Sequence, residues 1–171
     1  MKIKNWIKNN KLITILFFVA LLVRLILFLI MFTHNNFNIV DTIHGDDGYY
    51  ELSQSILNGD GMSGNPLRPP LWPAIIAFIA YFSGYWGVAI LELIMASTIP
   101  VLGLVLTRIF MGEKYSKYVG WLMVFSPYPV FLSFILYSET SFTFFFLTSL
   151  IFLFKYFEID TRFQNYNFGL W

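Results

Sequence analysis

The run LITILFFVALLVRLILFLIMFT, residues 12–33, carries one ionisable side chain in 22 positions. As a helix rising 1.5 Å per residue it would reach about 33 Å, and a hydrocarbon layer is roughly 30 Å thick. It is longer than the roughly 7–15 residue core of a secretory signal. No small-x-small cleavage pattern follows it, because the next residues are His34, Asn35 and Asn36. A retained anchor is therefore expected, preceded by the basic stretch MKIKNWIKNNK. The rest of the chain agrees, being 57% hydrophobic and only 12% charged, where a soluble domain carries about 25% charged residues. An all-α integral membrane protein is the expected class, forming one membrane domain in contact with membrane lipids, with no nucleic-acid partner. The absence of cysteine excludes disulfides and thiolate metal sites, and two histidines disfavour a histidine-rich metal centre.

Further apolar stretches run over 69–84, 86–107, 117–136 and 140–157. The first of these has about 16 residues and three prolines near its start, which suits a re-entrant or interfacial helix better than a span. Charge decides the parity. With 69–84 not crossing, nine of the eleven lysines and arginines lie on the cytoplasmic side, including Arg108, Lys114 and Lys117. The positive-inside rule favours that arrangement. Four spans (12–33, 86–107, 117–136, 140–157) are then expected, with the N-terminus cytoplasmic. Residues 34–85 become one external loop carrying helices over 47–58 and 69–84.

That loop opens with GDDGYY, residues 45–50. Tyr49, Leu52 and Ile56 recur at helical spacing, Gly59 is a natural stop, and NGDG continues as a turn. One aspartate suffices as an N-cap for such a helix. Two adjacent carboxylates repel each other, so the second needs a cation or a general-base role. The expected division sets Asp47 nearer the cap and Asp46 in a pocket. Arg68, followed by Pro69 and Pro70, sits on stiff extended backbone and offers a fork for phosphate or carboxylate, or snorkels at the lipid interface. Glu139 opens the last span, where a helix N-terminus favours an acid; it is the only acid between Glu113 and Glu158. Arg24 and Glu92 are ionisable groups inside spans, costly unless paired or facing a cavity. An ion pair between them is the simplest expectation. SPYP, residues 126–129, should kink the third span.

Taken in order, these elements resemble a family. An Asp-x-x-x-Tyr element after the first span, an amphipathic stretch ending in Asn-Gly, Arg-Pro-Pro-Leu-Trp-Pro, a long second span, Ser-Pro, and an acid in Ser-Glu opening the fourth span are similar to the C-type glycosyltransferases. The resemblance is to the bacterial members related to the dolichyl-phosphate-mannose protein mannosyltransferases and the aminoarabinose transferase of lipid A, and it covers residues 12–157. It implies an inverting transfer of a sugar from a polyprenyl-phosphate carrier to an acceptor at the outer face of the cell membrane. Asp46, with Tyr50 four residues on, would act on the acceptor hydroxyl, Asp47 being the alternative. Arg68 would hold the donor phosphate. Glu139 would join Asp46 around a divalent cation, Mg²⁺, Mn²⁺ or Ca²⁺. Members of that family run to several hundred residues, so this chain is expected to be an N-terminal portion of such an enzyme. A portion that lacks much of the lipid-donor groove is expected to be inactive by itself. The competing expectation is a small four-span protein without enzymatic function, an assembly partner or transporter fragment.

Overall fold

The computed structural model describes residues 11–62 and 68–168, with side chains up to residue 157. Seven α-helices follow one another in the described residues: α1 Lys11–His34, α2 Ile39–Ile43, α3 Tyr49–Leu57, α4 Leu71–Met111, α5 Glu113–Phe125, α6 Pro127–Phe131 and α7 Ser138–Phe168. A 3₁₀ turn, Leu132–Phe134, follows α6, and no strand occurs among the described residues. Among the described residues three helices are long and apolar enough to cross a membrane: α1, α4 and the Ser138–Phe157 part of α7.

The helix α4 is the central post, packing against α1, α3, α5 and α7. It begins at Leu71 behind Pro70, where a helix tolerates proline because its first amides have no acceptor within the helix. It is broken at Gly84, whose backbone (φ 65°, ψ −173°) is open mainly to glycine. The sequence-expected separation of 69–84 from 86–107 corresponds to this break. In α1 the buried residues Leu16, Ala20, Arg24 and Phe28 recur every fourth position, one stripe turned towards the other helices.

The expected third span, 117–136, is not a single helix. Helix α5 stops at Phe125 after 13 residues, about 20 Å at helical rise and short of the hydrocarbon thickness. The cause is local: Pro127 forces Ser126 into an extended conformation (φ −63°, ψ 120°). The chain then folds through α6 and the 3₁₀ turn. SPYP therefore ends a helix where a kink was expected. This turns Leu132, Phe134 and Leu136 inwards, where they are buried.

Those residues join Phe28, Ile43, Tyr49, Trp72, Ile76 and Val88 in one apolar cluster under the loop helices. A smaller cluster of Leu16, Ala20, Leu104 and Val124 lies elsewhere in the bundle. In lipid the hydrophobic effect gives little drive between helices, so shape fit and polar contacts matter more. One such contact straps the loop down: the Leu136 amide donates to the Ile43 carbonyl at 2.9 Å.

Candidate functional site

Each residue of GDDGYY has a distinct place. Gly45 is buried, and a Cβ there would overlap the Tyr137 ring and Ile135. Gly48 caps α3 in the left-handed conformation, with φ 76° and no side-chain cap hydrogen bond. The aspartates are therefore not helix caps, and Asp47 departs from its expected role. Its carboxylate instead accepts from Arg68 Nη2 at 2.8 Å, with both side chains about one-third exposed. Asp46 is exposed and makes no hydrogen bond or ion pair with the described residues. The expected helix over 47–58 starts later, at Tyr49, because Gly48 leaves the helical region.

Arg68 also lies over the Tyr49 ring, 5.6 Å from its centroid, a cation–π contact worth roughly 0.5–1 kcal/mol in a half-exposed setting. Tyr49 is 2% exposed, and its hydroxyl donates to Ser138 Oγ at 3.1 Å across 89 residues of sequence. The result is a continuous line of contacts, Asp47–Arg68–Tyr49–Ser138, running from the loop to the first residue of α7. Glu139 is the next residue, exposed in the first turn of that helix. Three motifs distant in sequence thus meet along one path. Tyr49 and Ser138, which form its middle, carry no signal in the sequence that would pair them.

Tyr50 belongs to a neighbouring network. Its ring packs at 5.0 Å from the Tyr85 ring and 5.5 Å from His44. Gln54 Nε2 donates to Tyr85 Oη at 2.9 Å, Ser53 Oγ lies 2.9 Å from the same oxygen, and His44 Nε2 is 2.7 Å from Glu51. This network ties α3 to the turn of α4 just past Gly84. The sequence gives no hint of it, since Tyr85 sits at the edge of an apolar run.

The expected Arg24–Glu92 ion pair does not form. Arg24 is 1% exposed, and its guanidinium donates from Nη1 to the Ala20 carbonyl, 3.1 Å away on its own helix, while Nε has no partner. Glu92 is fully buried with both carboxylate oxygens unpartnered. The two groups project from different helices without coming within the 4 Å of an ion pair. Arg24 instead lines a cavity of about 110 Å³ together with Glu139, Tyr128, Thr140 and Thr143. Among the described residues no group of three or more histidine, aspartate or glutamate side chains gathers as a metal site.

No known protein family, curated protein or solved structure matches this chain. Its functional reading rests on its own residues.

Proposed function

We propose that the chain is a membrane-embedded unit of an inverting sugar transferase that uses a polyprenyl-phosphate donor at the outer face of the membrane. The observation that carries this reading is the path Asp47–Arg68–Tyr49–Ser138, which joins one of the two loop aspartates, the arginine and the acid-bearing start of α7. In this reading the N-terminus is cytoplasmic and the 34–85 loop external. Asp46 is the unengaged carboxylate and takes the proton from the acceptor hydroxyl. The acceptor oxygen then bonds to the anomeric carbon from the face opposite the phosphate. The bond from that carbon to the phosphate oxygen breaks, and the phosphate carries away the electron pair as negative charge. Arg68 stabilises that charge with guanidinium donors not used by Asp47. Asp47 positions Arg68.

A divalent cation held by Asp46 and Glu139 would supply further charge stabilisation. Two carboxylates would need donor phosphate oxygens or waters to complete its shell, and no step above depends on it.

The test is binding of a polyprenyl phosphate to the full chain in lipid nanodiscs. Saturable binding is expected, weakened at least about tenfold by Arg68→Ala and unchanged by Asp46→Asn, with no binding of the uncharged polyprenol. Equal affinity for polyprenol, or an unaffected Arg68→Ala variant, overturns the assignment. The second reading, a non-enzymatic membrane protein, is favoured by one observation: Arg68 is already engaged by Asp47 and Tyr49, which suffices for a purely structural staple. It predicts that latter outcome.

A further inference from the structure

We infer that the exposed face of α5 binds an anionic phospholipid, whose phosphate sits between Lys114 and Lys117 and whose chains lie along Leu122 and Phe125. This face shares no residue with the Asp47–Arg68–Tyr49–Ser138 path and does not rest on the transferase reading. Helix α5 has two sides. Ser116, Gly120 and Val124 are buried at every fourth position, and Gly120 packs so closely that a Cβ there would meet both Leu16 and Leu104. Tyr115, Tyr118, Leu122 and Phe125, spaced three or four residues apart, form the other side and are exposed.

Two exposed ammonium groups stand at the start of this face. Lys114 Nζ lies 5.6 Å from the Tyr115 ring centroid and Lys117 Nζ 5.9 Å from that of Tyr118, within the roughly 6 Å reach of a cation–π contact. Neither lysine forms an ion pair with a described residue. The neighbouring acid, Glu113, already accepts from Arg108 Nη2 at 2.8 Å, which leaves both lysines uncompensated. Three residues apart on a helix they are neighbours, so one phosphate can accept from both.

The chain of a lipid has a matching track. Helix α5 runs antiparallel to α4, since Gly103 faces Met123 while Leu104 faces Gly120, and α4 is long and apolar enough to cross a membrane. From Lys114 to Phe125 a helix rises about 16 Å, close to the ~15 Å of hydrocarbon in one leaflet. The order along the face is ammonium, tyrosine, leucine, phenylalanine, which follows the headgroup, interface and acyl chains of that leaflet. A headgroup of net negative charge complements the lysines. A zwitterionic one brings its own ammonium towards them, and that repulsion offsets the gain at the phosphate.

The experiment titrates the full chain in maltoside micelles with dioleoyl phosphatidylglycerol and with dioleoyl phosphatidylcholine, counting bound lipid by native mass spectrometry. A lysine near an anionic headgroup is worth about fivefold in affinity, so the glycerol lipid is expected to bind at least about tenfold more tightly. The double variant Lys114→Gln, Lys117→Gln should erase that preference, with a melting profile like that of the wild-type chain because both lysines are exposed. A measurement on the wild-type chain stands beside it: detergent melting curves should show the glycerol lipid stabilising more than the choline lipid, by a margin that shrinks as salt rises from about 50 to about 500 mM. Chain-free glycerophosphoglycerol should not displace the lipid, since it leaves Leu122 and Phe125 uncovered. Equal binding of the two lipids by the wild-type chain overturns the assignment. So does a double variant that keeps the preference, a margin indifferent to salt, or displacement by the chain-free headgroup at the concentrations at which the lipid itself binds.

Discussion

Glu92→Leu is expected to stabilise the protein, against the usual direction for a change at a fully buried position. Both carboxylate oxygens of Glu92 lack a hydrogen-bond partner, and a buried polar group left unsatisfied costs about 1–3 kcal/mol. Leucine fills a comparable space without that demand, so a gain of about 1–3 kcal/mol should follow. For chains of this length 1 kcal/mol moves the melting temperature by roughly 2–4 °C, which tryptophan fluorescence in bicelles can follow through the five tryptophans. In a double-mutant cycle with Arg24→Leu the coupling should fall below about 0.5 kcal/mol, as for groups that share no contact. Swapping the two charges should restore nothing. A loss of about 3–5 kcal/mol on either single change, with rescue by the swap, would show a buried ion pair and refute the reasoning.

The Asp47–Arg68 pair should behave as a half-exposed bridge: a cycle of Asp47→Ala and Arg68→Ala should give a coupling of about 0.2–1 kcal/mol, reduced by added salt. Arg68→Ala alone should cost somewhat more than Asp47→Ala because it also removes the contact with the Tyr49 ring. Gly45→Ala should destabilise by about 1–3 kcal/mol, the usual penalty of overpacking, since the new methyl meets Tyr137 and Ile135; thermal melting and faster proteolysis of the 34–62 loop would register it, and a wild-type profile would contradict the tight approach.

Much of the architecture is legible in the sequence because it follows from local rules. The apolar runs 12–33 and 140–157 lie within helices of crossing length, and the break near residue 84 coincides with a glycine at positive φ. Gly59, likewise at positive φ, follows the end of α3 as expected. The third span departs from expectation for a reason of degree: hydropathy over 117–136 is blind to the force of Pro127 on Ser126, which ends the helix and turns the next residues inwards.

The site shows the same division. Residue type and spacing in the sequence are enough to single out Asp46, Asp47, Arg68, Glu139, Arg24 and Glu92 as the charges that an apolar chain has to account for. Which of them meet is decided only by tertiary structure. Gly48 takes the capping position and leaves Asp47 for Arg68. Tyr49 bridges to Ser138, and Arg24 turns back to the Ala20 carbonyl of its own helix instead of to Glu92. A sequence orders charges along one dimension, whereas an ion pair depends on a few ångströms between side chains of different helices. Those few ångströms are set by where α1, α4 and α7 cross.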